Sequence, residues 1–188
     1  MRSDPLPQRA GRVILRRLTP ADLVRFQAYR HDLEVGLYQE WEPVPDQAAI
    51  QFLEEMSNVR LFPLGVWIQL GIAEEQTNDL IGDVGVWVSA DVREAEIGFT
   101  LAREAQGSGL GTEAVRQLID LIFNETDVGR IVARVDERNT RAHRLLMRTS
   151  FRKASATHGL FRGEPCIEQV WEIFRTPAVH RVLRIERK

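Results

Sequence analysis

Hydrophobic residues recur along the chain with two different periods, which predict helices alternating with strands. Apolar positions at helical spacing follow residues 19–22, whose threonine, early proline and aspartate are typical of a helix start, and they follow Asp46 again. Two helices are therefore expected in the first third of the chain, after a short strand at residues 13–15. Residues 1–10 carry two prolines and few apolar side chains, so we expect a flexible lead-in there.

The middle of the chain is rich in strand-forming residues. Residues 66–70 and Leu80–Val88 flank the turn-forming residues 76–79, an arrangement typical of an antiparallel hairpin. Polar and apolar residues then alternate through Glu94–Leu101, so one face of this strand should be apolar and the other should face something polar.

The last third predicts the remaining elements of one mixed α/β domain over residues 11–176. These are a long helix at 112–124 closed by Gly129, a buried strand at 131–135, a helix at 139–147 and two strands within 151–174. The basic tail, residues 177–188, is expected to be a solvated terminal helix, with a partner-binding arm as the alternative.

Composition narrows the class of protein. The 188 residues have an ordinary globular balance, and the formal net charge of −2 argues against a general nucleic-acid binder. Cys166 is the only cysteine and the four histidines show no ligand spacing, so neither an internal disulfide nor a metal site is expected. Without the apolar run of a signal peptide or of a membrane span, a cytoplasmic location is expected.

A glycine-rich loop is the strongest local signal, with the sequence Gln106-Gly107-Ser108-Gly109-Leu110-Gly111 between a strand and the long helix. The start of a helix exposes unpaired N–H groups, and glycines let an anion approach the backbone closely, so this loop can cradle a phosphate. The Walker pattern is excluded because Thr112-Glu113 follows the last glycine, and the dinucleotide fingerprint is excluded by the glycine spacing. A flexible turn is the alternative interpretation.

Three ordered motifs resemble the Gcn5-related N-acetyltransferase (GNAT) family: residues 95–99, the 106–111 loop, and residues 133–151 at the expected distance after the long helix. Residues 19–56 are also similar. Within the family the chain looks most like the branch that acetylates the N-termini of ribosomal proteins. Aminoglycoside N-acetyltransferases are a looser match.

The resemblance implies a fold and a cofactor. The fold would be α/β of the mixed α+β type, with a mostly antiparallel twisted sheet of about six or seven strands, splayed at the cofactor site and flanked by helices. Acetyl-CoA would be the co-substrate, with its pantetheine on the backbone of Ile97, Gly98 and Phe99, a form of strand addition. Its pyrophosphate would lie on the amides of residues 106–111, with Thr112 nearby.

Asn139 matches the asparagine that the family places near pantetheine. The alternative interpretation is a helix cap, for which asparagine is equally suited, and both roles can hold at once.

The chemistry implied by the resemblance is direct transfer to a bound amine without an acyl-enzyme. Glu96 is the candidate for general base or amine-orienting group, an exposed strand glutamate being the alternative interpretation; Asp83 and Glu94 are weaker candidates. The chain departs from the family where Leu146 replaces a tyrosine proposed as general acid. Ser150 also replaces a glycine, which affects only local turn geometry.

The segment of residues 31–46 corresponds to the loop that shapes the acceptor pocket in relatives. Its carboxylates and aromatic rings favour a cationic amine, and Glu34, Tyr38 and Trp41 are the substrate-binding candidates, although charged loops are often simply solvated. His158 and Cys166 lie where relatives complete this pocket.

The predicted function is transfer of an acetyl group from acetyl-CoA to a primary amine, either a protein or peptide N-terminus or a small-molecule amine such as an aminoglycoside. The missing tyrosine leaves a non-catalytic CoA-binding sensor or scaffold as an alternative. An acyltransferase that uses a longer acyl-CoA, such as succinyl-CoA, is another, because the glycine loop contacts only the pyrophosphate. The oligomeric state is open, with a homodimer as one alternative.

Overall fold

The computed structural model describes residues 4–176, and the basic tail 177–188 lies outside this range. Eight strands run through the described residues: β1 (Gln8–Ala10), β2 (Val13–Arg17), β3 (Ile68–Glu74), β4 (Leu80–Val88), β5 (Glu94–Leu101), β6 (Arg130–Asp136), β7 (Arg152–Phe161) and β8 (Glu164–Phe174). The α-helices are α1 (Leu23–Arg30), α2 (Leu33–Gly36), α3 (Asp46–Asn58), α4 (Leu110–Glu125) and α5 (Thr140–Arg148). Two short 3₁₀ helices, Pro20–Asp22 and Arg103–Ala105, precede α1 and the glycine loop.

The strands form one open sheet in the order β1-β2-β3-β4-β5-β6-β8-β7. Every neighbouring pair is antiparallel except β5 and β6, which are parallel and are joined through α4. The predicted mixed α/β fold with a mostly antiparallel sheet is confirmed. The sheet has eight strands, one more than the upper expectation, because part of the predicted lead-in joins it.

That additional strand is β1, which pairs with β2 through the turn at Gly11, where φ is +66°. The side-chain amide of Gln117 on α4 secures this hairpin by donating to the carbonyls of Ala10 (2.6 Å) and Val13 (3.2 Å). The prediction of a flexible lead-in over residues 1–10 therefore fails for Gln8–Ala10. A low apolar content does not prevent pairing at the edge of a sheet, where backbone bonds dominate.

Helices cover both faces of the sheet. Asp83 on β4 contacts Tyr29 and Arg30 of α1, whereas Leu101 on β5 contacts α4 at Gly111 from the opposite face. The two faces follow from the strand register, because Asp83 pairs with Thr100 and successive residues of a strand point to opposite sides. The core is made mainly of aliphatic side chains from the strands and from α4, including Leu15, Leu70, Leu118, Leu121 and Ile131, all fully buried.

The end of α4 differs from the sequence prediction. The helix ends at Glu125, where Thr126 has extended backbone and its hydroxyl donates to the carbonyl of Ile122 at 2.7 Å. Gly129 does not close the helix as predicted; it lies next to β6, and its N–H donates to the Arg93 carbonyl at 3.1 Å. A threonine that bonds back to the preceding turn ended the helix before the glycine was reached.

No helix within residues 4–176 is both long and apolar enough to cross a membrane.

Candidate active site

The sheet opens between its two parallel strands. Strands β5 and β6 pair only through Glu94 with Arg130, Ala95 with Ile131 and Glu96 with Val132. Both strands continue beyond this point, β5 to Leu101 and β6 to Asp136, without further pairing between them. The predicted splay is therefore present, and it begins directly after Glu96.

The direction of the backbone groups along β5 determines which of them face the opening. The Glu94 carbonyl accepts a bond from Ser89 N–H, and Ala102 N–H donates to the Ile81 carbonyl of β4, so the even-numbered residues of β5 direct their backbone groups toward β4. In an antiparallel pair the intervening residues direct theirs to the other side. The N–H and C=O groups of Ile97 and Phe99 thus face the opening, as predicted.

Gly98 requires a correction, because its backbone groups face β4 and are not available to a ligand in the opening. What Gly98 contributes is space. A Cβ atom at this position would have no neighbour within 4 Å, so the sheet surface next to Glu96 is open.

Two glutamine side chains cap carbonyls along the open edge of β5. Gln106 Nε2 donates to the Leu101 carbonyl at 2.9 Å, and Gln39 Nε2 donates to the Phe99 carbonyl at 3.3 Å. Gln39 comes from the 37–45 loop, which joins α2 to α3 and is distant in sequence. The sequence reasoning missed Gln39, since no local pattern connects it with β5.

The glycine loop lies at the C-terminal end of β5 and leads into α4. Gly107 and Gly109 adopt φ values of +79° and +91°, which favour glycine, and α4 begins at Leu110. Within residues 4–176, the N–H groups of residues 107–111 have no hydrogen-bond acceptor. Five amides at the N-terminus of a sixteen-residue helix are therefore available as donors to an anion, and their role in holding a pyrophosphate stays a prediction.

The loop is held in place by its own side chains and by Arg12 in the turn between β1 and β2. Arg12 Nη2 donates to the Ser108 carbonyl at 2.9 Å, and the same guanidinium pairs with Glu113 on α4 at 2.5 Å. Ser108 Oγ donates to the Ala105 carbonyl at 3.1 Å, and Gln106 Oε1 accepts from Arg141 on α5 at 2.9 Å. Thr112 lies in the first turn of α4 with its N–H on the Gly109 carbonyl.

Gly111 permits close packing at the start of α4. A Cβ atom there would lie 2.7 Å from a methyl carbon of Leu101 and 2.9 Å from one of Leu145.

Asn139 caps α5 at the edge of the opening. Its Oδ1 accepts the N–H of Ala142 at 3.1 Å, which confirms the helix-cap interpretation. Within the described part of the chain its amide nitrogen has no acceptor, so the ligand-binding role remains a prediction that is compatible with the cap.

Glu96 lies where the two strands separate, on the polar face of β5, with its side chain 23% exposed. Burial raises the pKa of its carboxyl, while Arg134, whose Nε lies 3.3 Å from Oε2, lowers it; the net pKa is above its ordinary value. A carboxylate with a raised pKa next to an open cleft is a suitable general base.

The two weaker candidates for the base have other partners. Asp83 is 2% exposed and accepts bonds from Tyr29 Oη at 2.5 Å and from Arg30 Nη2 at 2.8 Å. Glu94 pairs with Arg130, which also contacts Glu172 at 3.0 Å. Thr100, expected on the polar face of β5, is 5% exposed because it pairs with Asp83 beneath α1.

The acceptor-pocket candidates make separate contacts. Glu34 pairs with Arg103 at 2.8 Å, and the Trp41 ring lies 4.4 Å from the Arg30 guanidinium. Tyr38 is half-buried in the 37–45 loop. Two of the groups that the sequence assigned to a substrate therefore have partners within the protein: the Glu34 carboxylate pairs with Arg103, and the Trp41 ring packs against Arg30.

In the turn between β6 and α5, Arg138 pairs with Asp136 at 2.7 Å, and this carboxylate raises the pKa of the guanidinium. His158 is exposed on β7 at the position that pairs with Ile167. Leu146, at the position of the family tyrosine, is fully buried, and its hydrocarbon side chain has no proton to donate.

A sheet that opens between two parallel strands, beside a helix whose first amides are unpaired, defines a protein that can hold an extended, phosphate-bearing ligand along a strand edge. The sequence model of the acetyltransferase (GNAT) domain matches residues 12–152. The chain belongs to this family, which confirms the predicted family and, at that level, the predicted enzyme class.

Two curated relatives match parts of the chain. An uncharacterized N-acetyltransferase, p20, from Bacillus licheniformis is 44% identical over 59 residues, which are 31% of this chain and 33% of the relative. The probable N-acetyltransferase YjcK from Bacillus subtilis (strain 168) is 35% identical over 88 residues, 47% of this chain and 46% of the relative. The matched segments thus span a third to a half of these relatives.

Solved structures share the fold. An acetyltransferase of the GNAT family from Bacillus anthracis has a TM-score of 0.79 at 18% identity and covers 90% of this chain and 98% of its own. A putative ribosomal-protein-serine acetyltransferase from Vibrio cholerae has a TM-score of 0.75 at 22% identity, covering 91% and 98%. Spermidine N-acetyltransferase from Vibrio cholerae, solved with CoA and spermine, has a TM-score of 0.70 at 20% identity, covering 88% and 96%.

Proposed function

We propose that this chain transfers an acetyl group from acetyl-CoA directly to a primary amine. The observation that carries the proposal is the joint position of two features: the unpaired amides of residues 107–111 and the β5 edge from Ile97 onward, which has no partner strand. One binds an anion and the other binds an amide-containing chain, and the coenzyme contains both groups in that order.

The binding proposal follows from the backbone. The pyrophosphate lies on the amides of residues 107–111, where the dipole of α4 adds partial positive charge. Pantetheine extends from there along the backbone groups of Phe99 and Ile97, in the place that a further strand would take. We assign Asn139 to the opposite wall of this track, where its amide nitrogen, which has no acceptor within residues 4–176, donates to pantetheine. The thioester then arrives near Glu96, at the closed end of the opening.

The chemical proposal assigns proton removal to Glu96. An amine attacks only as its neutral form, so a proton must leave it, and the carboxylate of Glu96 receives that proton directly or through water. The backbone N–H of Ile97 or Phe99 stabilises the charge that develops on the carbonyl oxygen. The departing thiolate needs no side-chain acid, since a free thiol has a pKa near about 8.5. The buried Leu146 is therefore compatible with turnover.

A cationic acceptor is favoured by the open face of the sheet beside Glu96. The register places five carboxylates on this face, those of Glu94, Glu96, Asp136, Glu168 and Glu172, together with the three guanidinium groups of Arg130, Arg134 and Arg152. The excess of negative charge attracts an ammonium group. A peptide α-amine or a small polyamine-like or aminoglycoside-like amine fits this chemistry. The neighbouring structures named for ribosomal-protein and spermidine acetylation support the same range.

The test is calorimetry with CoA on the full chain, followed by thiol release from acetyl-CoA with three acceptor classes: peptides, aminoglycosides and polyamines. We expect CoA binding and turnover with at least one cationic amine, and Glu96→Gln should lower turnover while CoA still binds. CoA binding without transfer to any acceptor would instead support a sensor or scaffold. Faster turnover with succinyl-CoA than with acetyl-CoA would assign the longer acyl group.

A further inference from the structure

Gln39 is held at three points in the 37–45 loop. Its backbone N–H donates to the Gly36 carbonyl at 3.1 Å, and its own carbonyl accepts from Arg162 Nη2 at 3.0 Å. Its side chain crosses to β5, where Nε2 donates to the Phe99 carbonyl at 3.3 Å. The loop, the β7–β8 hairpin and the splayed strand are thus connected through one residue.

Arg162 supplies the second connection of this loop. It lies at the turn between β7 and β8, and its Nη2 atom also donates to the Trp41 carbonyl at 3.2 Å. Two loop carbonyls are therefore bound by one guanidinium. If the Gln39–Phe99 bond breaks, the loop keeps its hydrogen bonds to the hairpin and, through the Val44 carbonyl, to Gln27 of α1, but it loses its hydrogen bond to β5.

The Phe99 carbonyl accepts a hydrogen bond from Gln39 and is also the acceptor that an added chain would need. It faces the opening in the middle of the edge that starts at Ile97 and ends at Leu101, whose carbonyl is bound by Gln106. A chain that adds to this edge needs the N–H and C=O groups of Phe99. At 3.3 Å the bond from Gln39 lies beyond the usual N–H···O range, so it is weak enough to be replaced.

We infer that Gln39 occupies the pantetheine-binding edge of β5 in the free protein, and that coenzyme binding displaces it and frees the 37–45 loop from the strand. The inference rests on the proposed function, because it places the coenzyme along that edge. Gln39 is then an internal competitor of the coenzyme and a positioning residue for the loop, with no contact to the reacting atoms. The loop that borders the acceptor side responds to the coenzyme through this bond.

The first experiment measures CoA binding by calorimetry to the full chain and to Gln39→Ala. Removing the competitor should tighten CoA binding by about two- to tenfold, the range that one neutral hydrogen bond contributes. Gln39→Met keeps the length of the side chain without a donor and should tighten binding in the same direction. Gln76→Ala, the same substitution in the exposed β3–β4 turn, should leave CoA affinity unchanged.

The second experiment follows amide hydrogen exchange of residues 37–45. CoA should increase exchange of these amides in the wild-type chain, and free Gln39→Ala should already show the increased rate. If Gln39 had only a structural role, its substitution would lower the melting temperature and weaken CoA binding, whereas the inference predicts tighter binding.

The outcomes separate the two proposals. If CoA does not bind the wild-type chain, the proposed function falls and this inference falls with it. If CoA binds the wild type but binds folded Gln39→Ala and Gln39→Met no more tightly, the competitor role is overturned while the proposed function stands. Protection of the loop by CoA in the wild type overturns the coupling.

Discussion

Arg134 holds Glu96 at the point where β5 and β6 separate, with 3.3 Å between Nε and Oε2. Burial and the neighbouring guanidinium shift the pKa of the Glu96 carboxyl in opposite directions. Burial raises its pKa, and the guanidinium lowers it, so the balance leaves the pKa above its ordinary value. Substitution of Arg134 should therefore change the pKa of the proposed base, Glu96.

Substitution of Arg134 by glutamine should raise the pKa of Glu96 further. A general base works in its deprotonated form, so activity is lost as the pH falls through this pKa, and the acid limb of kcat/KM should move to higher pH. We expect a displacement of up to about one pH unit, because the pair is partly exposed. The measurement is the pH dependence of kcat/KM for acetyl-CoA-dependent turnover.

The matched control is Arg130→Gln, which removes the equivalent arginine from Glu94 instead of Glu96. It should move the acid limb much less. Glu96→Gln should abolish the limb and lower kcat by about 10²- to 10⁴-fold. Equal displacements in the two arginine variants would show that Glu96 is not the titrating base.

Periodicity and turn chemistry were sufficient to predict most elements of the fold. The alternation in residues 94–101 and the apolar stripe after Gly111 depend on which face is buried, and burial leaves a local signature in the sequence. Edge strand β1 left no such signature, because Gln8–Ala10 joins the sheet through backbone bonds and through Gln117 of α4. The predicted end of α4 at Gly129 was also wrong, because Thr126 ends the helix three residues earlier.

The candidate site was predictable only in part. The splay came from resemblance to a family and is present in the structure, whereas the glycine loop was recognised from its residues and has the unpaired amides that its predicted role requires. The direction of each backbone group on β5 depends on strand register, so the sequence could not distinguish Gly98 from its neighbours Ile97 and Phe99. The contacts of Glu34 with Arg103 and of Gln39 with Phe99 join distant parts of the chain, and only the tertiary fold determines them.

The glycine cradle can be tested with a pair of matched substitutions. Gly107 and Gly65 have φ values of +79° and +73°, and neither position has an atom within 4 Å of an added Cβ. Alanine should therefore strain both sites similarly, at about 1 kcal/mol each. Only Gly107→Ala alters the amides of the cradle, so it should weaken CoA binding by about tenfold or more, measured by calorimetry, while Gly65→Ala keeps wild-type affinity. Equal affinities of the two variants would place the pyrophosphate elsewhere.

Asp83 should affect stability more than catalysis. The Asp83→Ala change leaves Arg30, which is 8% exposed, without its buried charge partner, so the free energy of unfolding should fall by about 3–5 kcal/mol. Urea unfolding followed by tryptophan fluorescence measures this loss. In Asp83→Asn the side chain can still bond Tyr29, and the acid limb of the pH profile should stay in place. Loss of that limb, with stability retained, would instead identify Asp83 as the base.

The helix-cap role of Asn139 uses its Oδ1 atom and the proposed coenzyme contact uses its Nδ2 atom, so a substitution that changes only Nδ2 separates the two roles. Asp at this position keeps the oxygen that accepts the Ala142 N–H, and its charge is favourable at the start of α5, so Asn139→Asp should retain or slightly raise stability. The variant loses the amide N–H groups and places a negative charge beside the proposed coenzyme track. CoA affinity should then fall by about tenfold, the effect of one lost hydrogen bond together with charge repulsion.

Asn139→Ala completes this comparison, since it removes the cap as well and should cost about 1 kcal/mol of unfolding free energy. Calorimetric affinity and urea unfolding of the two variants give the separate readouts. If Asn139→Asp binds CoA as tightly as the wild type while Asn139→Ala is destabilised, Asn139 acts only as a helix cap. The opposite wall of the opening must then be supplied by β6 alone, where the backbone of Arg134 faces β5 beyond the last pair of the parallel ladder.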